Sequence, residues 1–221
     1  MQITKKQSLN FKIFKCCLDL DKVEEFLNNC MRDKDKDYWF CETQQDETGI
    51  LTYFKGIAYK SVEVADLEAG ENIHQEEKVI TECCLFITNN HILITGKAYK
   101  SALHVLGVKF EQKFAKMIVY QDILKELEAE AAEISSINLY NTELHDVTTL
   151  NIKGRLEDPF FISGTASGRI KNFKGRFQTC LGMSTISFDE KGKIAFNKIR
   201  GRCINTELIV EFLGKLERVE G

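Results

Sequence analysis

The feature that most constrains this chain is a pattern that occurs twice: a short hairpin of apolar strands that leads into an amphipathic helix. The first copy is Cys84-Leu85-Phe86-Ile87-Thr88-Asn89-Asn90-His91-Ile92-Leu93-Ile94, and the second is Ile186-Ser187-Phe188-Asp189-Glu190-Lys191-Gly192-Lys193-Ile194-Ala195-Phe196. With one written above the other, Phe86 falls on Phe188, Ile92 on Ile194 and Ile94 on Phe196, and both have a polar turn between. Strands of this kind bury one face, and a helix with one apolar stripe supplies the cover. A duplicated folding unit accounts for the match. The expected division is a first β-rich repeat over residues 1–115 and a second over 116–221 that opens with an acidic helix.

Reading outward from the hairpins gives the rest. Residues 8–18 alternate as a strand. Asp19 or Asp21 can cap a helix carrying Val23, Phe26, Leu27 and Cys30. Residues 39–42 and 49–64 predict further strands, with Gly56 a bend or bulge, and residues 68–77 an acidic loop. Asn89-Asn90 suits a tight turn. Helical propensity is strong over residues 121–133, with Leu124, Leu127 and Ala131 on the buried side. Strands follow over 134–140, 147–156, 160–163, 168–180, 183–188 and 193–196, and a last helix over 206–216. Each half thus reads strand, helix, antiparallel strands, helix. The expected fold is α+β: two related halves, each a curved antiparallel sheet with helices on one face, able to merge into a continuous saddle.

Composition sets the class. The chain has 221 residues, 43% of them hydrophobic, enough for a buried core, and one proline, Pro159. No run reaches the roughly 20 apolar residues of a membrane helix, and lysines interrupt the N-terminal segment where a signal core would lie. The eight cysteines lack C-x-x-C spacing, and adjacent pairs such as Cys83-Cys84 point to opposite faces of a strand. Buried reduced thiols and a cytoplasmic location are expected. Residues 1–150 hold 17 Lys/Arg against 25 Asp/Glu, whereas residues 151–221 hold 13 against 8. A basic second half suits an anionic partner.

Gly49-Ile50-Leu51-Thr52-Tyr53-Phe54, then Leu85-Phe86 and Ile92-Leu93-Ile94-Thr95-Gly96-Lys97-Ala98, resembles a stretched half of a TATA-box-binding protein. Residues 183–216 resemble the equivalent part of a second half. The likeness covers about a third of the chain. An acidic insertion over residues 64–77 departs from the family, as does Asn197-Lys198 where a second Thr-Gly would stand. The resemblance implies a DNA-binding saddle, with Phe54, Phe86 and Phe188 as apolar wedges and Asn10 and Thr95 as polar groups that read a groove.

The residues themselves nominate one constellation. Arg169-Ile170-Lys171-Asn172-Phe173-Lys174-Gly175-Arg176-Phe177 is a strand with four cations and two aromatics, and Lys193, Lys198 and Arg200 lie nearby in sequence. Cations neutralise phosphates, and aromatic side chains stack on bases or open a base step. Strict alternation puts Arg169, Lys171, Phe173 and Phe177 on one face and Lys174 and Arg176 on the other. A lysine-rich exposed strand also resists edge aggregation without any ligand. Catalytic patterns are missing: the four histidines are dispersed, and no phosphate-binding glycine loop or nucleophile elbow occurs. No cofactor or metal is implied. The leading expectation is a non-enzymatic protein that binds DNA or another nucleic acid through its sheet face and basic half. Two others stand beside it: a protein-interaction or scaffold module, with a protein partner or homodimer on the sheet face or acidic helix, and a small-molecule-binding cup.

Overall fold

A computed structural model describes residues 1–3, 9–30, 36–66, 71–140, 149–156, 168–196 and 204–217. The fold is α+β with antiparallel strands. In chain order it begins β1 (Gln2–Ile3), β2 (Leu9–Lys15), α1 (Leu20–Asn29), β3 (Tyr38–Asp46), β4 (Gly49–Asp66), β5 (Glu71–Ile87), β6 (His91–Gly96) and α2 (Tyr99–Lys109). It continues β7 (Ala115–Lys116), α3 (Gln121–Glu130), β8 (Glu133–Tyr140), β9 (Thr149–Leu156), β10 (Arg169–Thr179), β11 (Gly182–Asp189), β12 (Lys193–Phe196), β13 (Ile204–Asn205) and α4 (Thr206–Glu217). Two compact units divide the chain. One holds residues 1–15, 91–93 and 115–221, and the other holds residues 16–90 and 94–114.

In the first unit the strands follow the order β2-β12-β11-β10-β8-β9, and β7 pairs with β2. One face of this sheet is aromatic. Phe11, Phe173, Phe177, Phe188 and Phe196 are each at most 1% exposed. Phe212 of α4 joins them, 5.4 Å from Phe177, 5.5 Å from Phe188 and 6.4 Å from Phe196 between ring centroids. Edge-on and tilted contacts of this kind add about 0.5–1.5 kcal/mol per pair to the burial itself. Helix α3 packs on β10 and α4. It ends at Glu130, short of the predicted 133, because Ala132 N–H donates to Arg176 O at 2.8 Å and draws the chain into β8. Gly175 permits that approach: a Cβ there would lie 3.0 Å from the Ala131 Cβ.

In the second unit the order is β3-β4-β5-β6. Asp19 caps α1, its Oδ1 accepting from the N–H groups of Asp21 and Lys22. Phe26 of α1 packs against Phe40 at 6.0 Å and Phe110 at 5.7 Å, and Phe40 against Phe54 at 5.2 Å. Strands β4 and β5 pair without a register shift from Ile50↔Ile87 to Asp66↔Glu71. Residues 71–77, expected in an acidic loop, therefore continue β5. The predicted strand over 160–163 lies outside the described residues.

The aligned hairpins do not superimpose in their facing. Phe188 turns toward Phe212 of α4. Phe86 is paired with Leu51, whereas Phe54, packed on the α1 side, is paired with Cys83. Positions 51 and 54 point to opposite faces of β4, so Phe86 lies on the face away from α1. The sequence match of Phe86 with Phe188 is not a match of position.

Glu128 is the exception to this core. It sits on the buried side of α3, 4% exposed, and its Oε1 has no hydrogen-bond partner. Burial pushes its carboxyl above the ordinary value. The folded state thus favours the neutral acid. The stability this contributes is full below the ordinary carboxylate range and is lost as pH rises through the raised folded value. Replacing Glu128→Leu is expected to raise stability by about 1–2 kcal/mol at pH 7 and by less at pH 4, read from urea denaturation at both. Phe188→Ala, by contrast, should cost about 3–5 kcal/mol at either pH in the same measurement.

Candidate nucleic-acid interface

The cationic strand β10 owes its geometry to a bulge. Its register against β8 shifts between Ile170 and Asn172 and again between Lys174 and Gly175. An extra residue on one strand reverses which side chains face inward. Ile170, Phe173, Gly175 and Phe177 are buried, while Arg169, Lys171 and Arg176 are exposed and Lys174 is half-exposed. This corrects the strict alternation, which split the cations between two faces. The bulge near Lys171 keeps all four on the side away from the phenylalanines.

Cross-strand register extends that side into two rows. One runs Asn10↔Ala195↔Ser187↔Lys174↔Ser136↔Lys153. The next runs Lys12↔Lys193↔Asp189↔Asn172↔Asn138↔Asn151. Strands lie about 4.8 Å apart, so each six-residue row spans about 24 Å. Every residue in the rows is exposed or half-exposed. Arg169 stands opposite Tyr140 and Arg176 opposite Glu133 beyond the rows.

Local bonds hold these side chains in place. Asn138 Nδ2 donates to Asn172 Oδ1 at 2.6 Å. The Arg176 guanidinium meets Glu133 at 3.2 Å, and that of Arg169 lies 5.4 Å from the Tyr140 ring. Tyr140 Oη donates to Glu190 Oε2 at 2.6 Å, which pushes its phenol above the ordinary value. Asp189 Oδ1 accepts from Lys191 N–H at 2.7 Å, so this carboxylate serves the β11–β12 turn. Gly192, at φ +65°, closes the turn against the carbonyl of Met117, where any Cβ would collide.

The aromatic candidates are elsewhere. Phe54, Phe86, Phe173, Phe177 and Phe188 are all at most 1% exposed. A ring with no free surface cannot enter a base step, so the wedge roles are withdrawn: these are core residues. Thr95 is half-exposed on β6, and with Phe54 and Phe86 it belongs to the second unit. Lys198 and Arg200 lie outside the described residues. The structure does bring together Asn10, Arg169, Lys171, Lys174, Arg176 and Lys193. It adds Lys12, Lys153, Asn138, Asn151 and Asn172 to them. Their common signal was the polar half of each alternating strand, legible only once the register was known.

One other arrangement resembles a catalytic relay. Ser61, His74 and Glu63 form a row on β4 and β5, at 3.5 Å from Ser61 Oγ to His74 Nδ1 and 3.9 Å from Nε2 to Glu63. The imidazole and carboxylate are both more than 60% exposed, which makes this a solvated cross-strand pair and not a nucleophile relay. Among the described residues no three His, Cys, Asp or Glu side chains converge as metal ligands do. Compared with known proteins, the chain matches no protein-family model and no curated protein sequence.

Proposed function

We propose that the first unit binds the backbone of duplex DNA, without catalysis, through the sheet face opposite its phenylalanine core. The observation that carries this reading is the registered pair of rows that sets Lys12, Lys193, Lys174 and Lys153, with Arg169 and Arg176 beside them, among asparagine and serine side chains. A row of about 24 Å matches roughly seven base pairs of B-form duplex. Lysines at that spacing neutralise phosphates on both sides of a groove. Asparagine amides and serine hydroxyls are suited to the acceptors on base edges.

One physical point favours this over the alternatives. The rows lack a large apolar residue, whereas the centre of a protein–protein interface is apolar and depleted of charge. The phenylalanines behind this face are buried, and Tyr140 on it is engaged by Glu190 and Arg169, so among the described residues the face favours the duplex over a single strand. The reading rests on this one sheet and requires neither a saddle nor an internal repeat.

The test is binding of a 20-base-pair duplex over 50–200 mM salt. Wild type should bind at low salt and weaken steeply as salt rises. The double variant Lys174→Glu/Lys193→Glu should bind at least about tenfold more weakly at 50 mM, with a log–log salt slope shallower by about two. Lys125→Glu, exposed on α3, should leave both quantities unchanged. An absence of wild-type binding at 50 mM salt would rule the proposal out.

A further inference from the structure

The β4–β5 pair outruns the sheet from which it springs. Strand β3 accompanies β4 only as far as Tyr38↔Gly56, where Ile57 N–H donates to Asp37 O at 2.7 Å. From there residues 57–66 and 71–80 continue as a two-stranded ribbon of ten registered pairs. A two-stranded ribbon is marginal in water, because it buries little of either face. This one leaves Tyr59 60% and Ile80 57% exposed. Ile57 stands opposite Ile80 and Tyr59 opposite Lys78, so the three large apolar side chains share one face. Ala58 and Val79 pair on the other.

Two features say what such a ribbon takes. The first is its outer edge. Beyond Gly56, no strand among the described residues neighbours β4 on that side. Exposed edges are usually blunted by proline, by several lysines or by a bulge. Residues 57–66 contain no proline and one lysine, Lys60, and their register is regular. The second is charge. Residues 57–80 hold Lys60 and Lys78 against Glu63, Asp66, Glu68, Glu71, Glu76 and Glu77. That balance repels a nucleic acid and attracts a basic chain.

We propose that the open edge of β4 accepts an added strand from a partner protein, an extended segment in which apolar and basic residues alternate. Main-chain hydrogen bonds along residues 57–66 supply the register, as in other cases of strand addition. The basic side chains of the added strand fall on the face of Ile57, Tyr59 and Ile80, where their aliphatic stems pack and their charged heads reach Glu63 and Glu76. The apolar side chains fall on the other face, beside Ala58 and Val62. The second unit then recruits protein independently of the lysine rows of the first.

The experiment uses the full chain and two fluorescein-labelled octapeptides, one alternating valine with lysine and the other valine with glutamate. Fluorescence anisotropy should show saturable binding of the lysine peptide at least about tenfold tighter than that of the glutamate peptide. Tyr59→Lys should weaken it about fivefold or more. So should Glu76→Lys/Glu77→Lys, which leaves the apolar row and the edge strand intact; circular dichroism confirms that both variants are folded. Lys174→Glu/Lys193→Glu should have no effect, which separates this surface from the proposed nucleic-acid face. Equal affinity for the two peptides overturns the proposal, as does lysine-peptide binding that survives both ribbon variants. Concentration-dependent self-association abolished by Tyr59→Lys also overturns it, since a second copy would then be the occupant.

Discussion

The burial of the phenylalanine cluster decides everything else in the first unit. Phe11, Phe173, Phe177, Phe188 and Phe196 come from β2, β10, β11 and β12, and Phe212 closes over them from α4. Each ring has a large area to remove from water, so strand register is fixed to within a single residue; a slip of one would turn the row to solvent. The same constraint selects the opposite face. Residues between core positions point away from α4, and among them are the lysines, asparagines and serines of the two rows. The core and the candidate interface are thus one pattern seen from two sides.

Much of this was legible in the sequence. The helix at Val23, Phe26 and Leu27 with its Asp19 cap could be read from local spacing, as could the hairpins at Asn89-Asn90 and at Asp189–Gly192. Such signals depend on a few neighbouring residues. What could not be read was parity. In β10 the buried positions run Ile170, Phe173, Gly175, Phe177, and no rule of period two contains that step from 170 to 173. The irregularity exists because β10 must match β8, which carries its own shift between Ile134 and Ser136. It is a property of the pair, and a single strand does not contain it. The same reason removed the wedges. Whether a phenylalanine in an alternating strand faces core or solvent depends on which side of the sheet is covered, and that is a tertiary fact.

The acidic stretch at 71–77 failed differently. Glutamates without apolar periodicity read as a loop, because burial is the usual signal of a strand. Here pairing with β4 supplies the order, and Lys60 opposes Glu77. Opposite charges across a ladder contribute a few tenths of a kcal/mol each, enough to bias a ribbon already held at its base by Leu51, Phe54, Cys83 and Phe86. A strand can therefore be specified by its partner while its own sequence argues for irregular structure.

The distribution of charge carries the functional argument furthest. Net charge is close to zero at -3, yet the two signs are unevenly placed on these two sheet surfaces. The lysine rows belong to the first unit, and the acidic ribbon to the second. Where carboxylates do enter the basic face they are engaged, Asp189 with a turn amide, Glu190 with Tyr140 and Glu133 with Arg176. A surface selected for solubility alone gains from interspersed signs, since neighbouring opposite charges relieve one another. Gathering lysines on one face forgoes part of that relief. The field it creates acts at a distance of a Debye length, about 8 Å at physiological salt, and favours an anionic polymer on one surface and a basic one on the other.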